Sequence, residues 1–335
     1  MPFPSPSGPN SYIWNLKQVY VARQGNNWPT AGFRGLFAGG STPTNSNVID
    51  YINIASAGNA TDFGDLTLAR ETLGGGGIAS STRALFTAGY VSGVDFTNVI
   101  DFVTISTTGN ATDFGDALQT FYNGGNTSNS TRGIFTGMIP GPGWNNVLNY
   151  VTIASAGNAL DFGDMANEYQ QRGTVSSSTR ALFGGGYSAP APGPDIRLSV
   201  NAVEYVTIAT TGNGTNFGDL TYARVQSRGA SSGTRGVFMG GYNVPASAYT
   251  NIMDYVTIAS TGNATDFGDL SVAKGAGSAT SDSSRGVYGG GAAPTNTNVI
   301  EFITIATAGN TTDFGDLTQA RRALGSASNG HGGLS

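Results

Sequence analysis

Cysteine is absent from the 335-residue chain, histidine occurs once, and lysine is found only at Lys17 and Lys274. Without cysteine, neither a disulfide framework nor a thiolate metal site can form. Nucleic-acid binding requires clustered cationic side chains that displace counterions from phosphates, and the chain has no such cluster. We therefore predict no nucleic-acid partner.

Long hydrophobic runs and charged residues are also scarce. No apolar stretch approaches the roughly 18 residues that a membrane-spanning helix needs, so we predict no membrane insertion. The first ten residues have neither the basic nor the apolar segment of a signal peptide. Charged residues make up 11% of the chain, with a formal net charge of −5. If the protein acts outside a cell, we expect it to leave by a route other than classical secretion, such as lysis.

Glycine and aromatic residues are abundant instead. The 51 glycines follow no Gly-X-Y period, which excludes collagen, and 14 Tyr, 17 Phe and 3 Trp are enough to build a core. No sustained 3.6-residue periodicity is present, so helices are not expected. We therefore predict a folded chain built from strands.

A three-part unit recurs six times, about every 50 residues. It begins with an arginine, a small residue, a hydrophobic residue, an aromatic residue and glycines, as in RGLFAGG from Arg34. A segment such as NVIDYINIAS (47–56) follows, and TDFGD or a close variant ends the unit. The phenylalanines of the TDFGD-type strings are Phe63, Phe114, Phe162, Phe217, Phe267 and Phe314.

Each part of the unit is typical of a β-strand. The NVIDYINIAS-type segments alternate β-branched or aromatic residues with others and lack proline. The Gly/Ser/Ala-rich stretch before each arginine, such as 74–81, has the small side chains that suit an innermost strand. Four antiparallel strands at this period predict an all-β, six-bladed β-propeller. Seven blades are the alternative, if the termini form a partial blade.

Two domains are predicted, an N-terminal docking arm at 1–22 and the propeller at 23–335. Either the C-terminal RRALGSASNGHGG or residues 24–31 would close the ring. The arm is proline-rich and then aromatic at Tyr12 and Trp14, which favours docking onto another protein.

The unit resembles the kelch repeat. In the fifth copy the pattern comprises Val237–Phe238 with Gly240–Gly241, then Tyr255, then Phe267 to Leu270, with Lys274 in place of arginine. The chain departs from kelch in having Phe for the usual Trp and a shorter gap to the Arg. This resemblance implies a kelch-like propeller fold and no particular function.

A second resemblance concerns the uniformity of the repeats, which are nearly identical to one another and follow the consensus NVIDYVTIASTGNATDFGDLTxAR. It is similar to repeats in virion structural and tail-fibre-like proteins of marine tailed bacteriophages, notably those that infect cyanobacteria. The resemblance implies that the protein is exposed on a virion and contacts other virion proteins of the tail or capsid.

Most Asp and Glu residues recur at fixed positions of the repeat. They are expected to accept hydrogen bonds from turn N–H groups or to pair with repeat arginines between blades. Calcium binding by stacked carboxylates is an open alternative. We predict no metal site and no cofactor.

Catalysis is not expected. The only histidine, His331, lies near the C-terminus, where we expect it to be exposed, and it has no cysteine partner. A carboxylate-pair glycosidase stays open, with Glu168 and either Asp195 or Asp95. Nothing in the spacing of these residues supports the pair.

Sequence variation is concentrated at one end of the predicted propeller. The second-to-third loops share this face with the blade crossings, and at two crossings aromatic residues replace the repeat arginine. Loops on a rigid scaffold are common sites of binding, and aromatic side chains suit sugars and protein partners. The candidate binding residues are Tyr90, Phe96, Phe121, Tyr122, Trp144, Glu168, Tyr169, Tyr187, Asp195, Arg197, Tyr242 and Tyr249.

The sequence thus predicts a non-enzymatic virion protein, a tail-fibre or tail-associated propeller that binds a host-surface polysaccharide or a virion partner. A capsid decoration or connector protein without a receptor role is one alternative. A glycan depolymerase and a cellular kelch-type adaptor are the others.

Overall fold

A computed structural model describes residues 33–71, 73–74, 76–139, 145–188 and 198–334. Within these ranges the chain is all-β, with a single 3₁₀ turn at Gly332–Leu334. The strands are β1 (Arg34–Ala38), β2 (Val48–Asn53), β3 (Thr61–Asp65), β4 (Ile78–Ala79), β5 (Arg83–Val91), β6 (Asp95–Thr104), β7 (Thr112–Asp116), β8 (Tyr122–Ser128), β9 (Arg132–Met138), β10 (Val147–Thr152), β11 (Leu160–Asp164), β12 (Gly173–Ser176), β13 (Arg180–Tyr187), β14 (Ser199–Thr207), β15 (Thr215–Asp219), β16 (Arg228–Ser231), β17 (Arg235–Asn243), β18 (Ala248–Thr257), β19 (Thr265–Asp269), β20 (Ser278–Ser281), β21 (Arg285–Gly289), β22 (Val299–Thr304), β23 (Thr312–Asp316) and β24 (Gly325–Ser328).

These strands form six antiparallel four-stranded sheets, which are the blades of a propeller. The first blade has the order β24-β1-β2-β3, and the second to sixth blades take the remaining strands four at a time in chain order. The predicted six-bladed fold is therefore confirmed. The C-terminal strand β24 closes the ring by pairing with β1, which resolves the choice between the two closing segments.

The hydrophobic core lies between neighbouring blades. At the first junction, for example, Leu36 and Phe63 of the first blade are buried with Phe86 and Val103 of the second. Equivalent clusters occur at the other five junctions, including the one that joins the sixth blade to the first. Full burial of each large apolar side chain contributes roughly 1.5–3 kcal/mol. A blade thus derives much of its stability from its neighbours.

The arginine that begins the second strand of each blade holds the next blade. Its guanidinium lies over the aromatic ring of the third strand, at 4.3 to 4.9 Å from the ring centroid in all six blades. Its Nη1 donates to a backbone carbonyl of the following blade, as Arg34 does to Ile105 at 2.9 Å and Arg285 to Ile54 at 3.2 Å. These arginines form a closed ring of contacts between blades.

The outer strands are joined in the same repeated way. The amide N–H of Asp65 donates to the Oδ1 of Asn110 in the next blade at 3.1 Å, and each of the other five outer strands makes the matching bond. The TDFGD glycines permit this approach. A Cβ on Gly268, whose φ is +134°, would lie 2.5 Å from the carbonyl oxygen of Gly309.

The C-terminal segment turns beneath the inner strands after β24. The Nε2 of His331 lies 3.0 Å from the carbonyl oxygen of Ala79 and 3.3 Å from the Oγ of Ser128. Its Nδ1 accepts the N–H of Gly333 at 3.1 Å, which places the ring proton on Nε2. Burial lowers the pKa of His331 to about 4. The expectation of an exposed histidine is therefore wrong, because the C-terminal turn packs into the end of the central channel.

Candidate binding face

The two ends of the propeller differ in their connections. The variable face carries the second-to-third loops and the crossings between blades. The constant face carries the tight turns into the second strand of each blade and the third-to-fourth hairpins. The structure describes nine of the twelve predicted binding residues, and all nine belong to elements at the variable face.

Among the variable-face hairpins that the structure describes from end to end, those of the second and fifth blades are the longest. In the second blade β5 and β6 continue to a turn at 92–94, and in the fifth blade β17 and β18 continue to a turn at 244–247. Aromatic residues pair across each extension, Tyr90 with Phe96 and Tyr242 with Tyr249. Their ring centroids are 5.5 Å and 5.2 Å apart, respectively. The repeat thus places two aromatic pairs at equivalent heights on different blades.

The second-blade pair continues into the third blade. The ring of Phe96 stacks on that of Tyr122, with centroids 4.2 Å apart and an interplanar angle of 19°. Tyr90, Phe96 and Tyr122 are all half-buried, and we call them the aromatic ladder. A half-buried ring is held in position by packing while part of it stays accessible, as a stacking platform requires.

Hydrogen bonds join loops of neighbouring blades at the variable face. Asn45 Nδ2 donates to the carbonyl oxygen of Tyr90 at 2.6 Å and links the first blade to the second-blade hairpin. Val244 donates its amide N–H to Ser199 Oγ at 2.9 Å and links the fifth blade to the fourth. One loop of the first blade and one of the fifth are therefore held against a neighbouring blade.

Buried ion pairs lie beneath five of the six crossings. Each joins the cation of one blade to a carboxylate on the third strand of the next, and each side chain is at most 1% exposed. The pairs are Arg70–Asp101, Arg172–Glu204, Arg224–Asp254, Lys274–Glu301 and Arg321–Asp50. Burial lowers the pKa of each cation, and the facing carboxylate opposes that shift. The predicted pairing of repeat carboxylates with repeat arginines between blades is confirmed at Arg70, Arg224 and Arg321. Lys274 takes the arginine's place in the fourth pair, and Arg172 lies outside the repeat position.

The crossing from the second blade to the third has no such pair. Phe121 stands seven residues after Phe114, where Arg70 follows Phe63 by the same interval, and Asn149 takes the carboxylate position. Phe121 is 1% exposed and stacks on Phe135 at 5.6 Å. The prediction that Phe121 contacts a partner is therefore wrong, since its side chain belongs to the core.

The crossing from the third blade to the fourth follows a different solution. Tyr169 occupies the arginine position and is half-buried, with the guanidinium of Arg172 at 5.4 Å from its ring centroid. Arg172 supplies the cation for Glu204 at 2.5 Å, a role that sequence reasoning did not assign. Glu168 is exposed, and Tyr187 at the end of β13 is half-buried. The contacts predicted for Glu168, Tyr169 and Tyr187 therefore stay predictions.

The remaining predicted contacts, Trp144, Asp195 and Arg197 on the loops and Tyr12 and Trp14 on the arm, lie outside the described residues. In the part of the chain that the structure describes, no group of three or more His, Asp or Glu side chains is arranged to hold a metal ion. No helix among the same residues is long and apolar enough to cross a membrane.

No protein-family profile matches the chain. No curated protein matches it either.

Proposed function

We propose that the protein is a non-enzymatic component of a tailed-phage virion, in a tail fibre or associated with the tail, and that its variable face binds a host-surface glycan. The observation that carries the binding proposal is the aromatic ladder, in which Tyr90, Phe96 and Tyr122 lie together across two blades. The phage setting depends on the similarity of the repeat to virion proteins.

The chemistry of the ladder suits sugars. The apolar face of a pyranose ring packs on an aromatic ring, and neighbouring polar groups then fix its orientation. Asp95, which precedes Phe96, is exposed, and so is Glu168 at the next crossing. Hydroxyl groups of a bound sugar can donate to such carboxylates.

The test uses the full chain and a panel of purified bacterial surface polysaccharides, including lipopolysaccharide from cyanobacterial strains. A Phe96→Ala/Tyr122→Ala variant should lose at least tenfold in affinity, because aromatic contacts contribute roughly 0.5–1.5 kcal/mol each beyond area burial and 1.4 kcal/mol is tenfold. Leu160→Thr is the matched control. Leu160 is 57% exposed beside the hairpins of the constant face, and the other five repeats all have threonine at this position.

Two outcomes would overturn the proposal. If no polysaccharide binds while purified particles contain the protein, it is a structural virion part without a receptor role. If particles lack the protein, the virion assignment is wrong.

A further inference from the structure

An open groove of about 600 Å³ lies on the constant face between the fifth and sixth blades. Its walls are the tight turns of the two blades and one hairpin residue. The lining residues are Ser232, Gly233, Thr234, Arg235, Ser283 and Ala306. A volume of this size is within the roughly 300–1,000 Å³ range of small-ligand sites.

One residue distinguishes this turn from its counterparts. Gly233 occupies the position at which the other four described turns of this type have serine. Those serines are Ser81, Ser130, Ser178 and Ser283. The absence of a side chain at Gly233 leaves space at the mouth of this groove.

Arg235 supplies an incompletely used cation to the groove. Its Nη1 donates to the carbonyl oxygens of Ile305 at 3.0 Å and Ala306 at 2.8 Å, and its guanidinium lies 4.3 Å from the Tyr255 ring centroid. Among the described residues, its Nε and Nη2 have no acceptor, and no carboxylate pairs with it. A guanidinium with two such donors can bind a carboxylate or sulfate group in a bidentate manner.

The acidic residue next in sequence to the lining residue Ser283 does not point into the groove. Asp282 precedes Ser283, but its Oδ1 accepts the N–H groups of Ser284 at 2.7 Å and Arg285 at 2.6 Å. The carboxylate is thus bound within its own turn and is only 6% exposed. It opposes anion binding through its charge without occupying the groove.

We infer that this groove binds an acidic saccharide. Arg235 would hold the anionic group through Nε and Nη2, while the hydroxyls of Thr234 and Ser283 contact the sugar hydroxyls. Ser232 Oγ shapes the turn instead, since it accepts the N–H groups of Thr234 at 3.4 Å and Arg235 at 3.1 Å. The site lies on the face opposite the aromatic ladder and does not depend on the function proposed above.

Gly233→Ser is the decisive variant, because it introduces the residue found in four equivalent turns and should leave thermal unfolding unchanged. The probe is trigalacturonate, compared with a sulfated and a neutral trisaccharide by titration calorimetry and saturation-transfer NMR. We expect the two acidic saccharides to bind and the neutral one to bind at least tenfold more weakly. Gly233→Ser should weaken acidic-saccharide binding at least tenfold.

Asp282→Ser separates charge recognition from groove shape. Other turns have serine at this position, as at Ser80 and Ser177. Removal of the carboxylate should tighten trigalacturonate binding several-fold at low salt and leave the neutral sugar unaffected. The Phe96→Ala/Tyr122→Ala protein should bind trigalacturonate normally.

The inference is overturned if neither acidic saccharide binds, if the neutral sugar binds equally well, or if Gly233→Ser leaves binding intact. Loss of binding in the Phe96→Ala/Tyr122→Ala protein would also overturn it, since the ligand would then lie on the variable face.

Discussion

Arg70 Nη1 and Asp101 Oδ2 lie 2.8 Å apart, and both side chains are fully buried between the first and second blades. The guanidinium also donates to the carbonyl oxygens of Ala88 at 2.8 Å and Phe86 at 3.1 Å. The carboxylate accepts the hydroxyl of Thr67 at 2.6 Å. Because these charges are both paired and hydrogen-bonded, the stability of the junction depends on retaining both partners together.

Asp101→Asn should destabilise the protein by about 3–5 kcal/mol, because it leaves the buried Arg70 without a counter-charge. Unfolding in guanidinium chloride should show a lower midpoint concentration, with an unchanged dependence of the unfolding free energy on denaturant concentration. Asp266→Asn, in an exposed outer-strand position, is the control and should have little effect. A loss below about 1 kcal/mol for Asp101→Asn would contradict the argument that burial makes the unpaired charge costly.

The crossing at Phe121 shows how a junction of this protein is built without a buried ion pair, and it suggests a replacement for the Arg70–Asp101 pair. There Leu118, Phe121 and Asn149 replace the threonine, arginine and aspartate of the first crossing. Asn149 Oδ1 still accepts the N–H of Leu118 at 3.1 Å, as Asp101 Oδ2 accepts that of Thr67 at 3.2 Å.

Transfer of all three residues, as Thr67→Leu/Arg70→Phe/Asp101→Asn, should therefore recover most of the stability lost in Asp101→Asn alone. Replacement of a buried ion pair by apolar residues is often neutral or stabilising. The same unfolding assay checks this. A triple variant less stable than the single one would show that the second junction has compensations that the first lacks.

Gly268 and Gly309 face each other across the fifth and sixth blades and allow a matched test. A Cβ on Gly268 would lie 2.5 Å from the oxygen of Gly309, at a φ of +134°, whereas a Cβ on Gly309 would contact nothing within 4 Å. Gly268→Ala should cost about 2–4 kcal/mol in unfolding free energy. Gly309→Ala should change it by less than about 1 kcal/mol. Similar losses in both would refute the close approach of the backbones.

Much of the architecture could be predicted because every repeat has the same physical constraints. Six copies of Arg34-type and Phe63-type residues identify the strands, and the Gly/Ser/Ala stretches identify the inner positions. The pairing of repeat carboxylates with Arg70, Arg224 and Arg321 also followed from the repeat. Features that depart from the repeat were harder to predict.

Phe121 illustrates the difficulty. The sequence alone does not distinguish a phenylalanine in a loop from one in the core. Only the replacement of the facing carboxylate by Asn149, together with that of the arginine by Phe121, indicates that this side chain is buried. At the next junction the carboxylate position still has an acidic residue, Glu204, and a buried carboxylate requires a cation. Arg172 supplies that cation from three residues beyond the repeat-arginine position, which Tyr169 occupies. Comparison of the two positions across each junction would have distinguished these cases.

The position of His331 could not be predicted because it depends on ring closure, a contact between residues 252 positions apart in the case of Ala79. Its environment makes stability depend on pH. The folded-state pKa of about 4 is below the ordinary value of 6.5, so between these values the unfolded chain binds a proton that the folded chain does not. Unfolding free energy should therefore fall as the pH is lowered from about 6.5 to about 4, by about 2–3 kcal/mol in total.

His331→Gln isolates this contribution, since the glutamine amide can still donate to the Ala79 carbonyl but does not titrate. Unfolding free energies of both proteins at pH 7.0 and pH 4.5 give the comparison, and the carboxylates common to both cancel in the difference. The wild-type protein should lose at least 1.5–2 kcal/mol more than the variant over this interval, at about 1.4 kcal/mol per pH unit. Equal losses in the two proteins would mean that the pKa of His331 is not lowered in the folded protein.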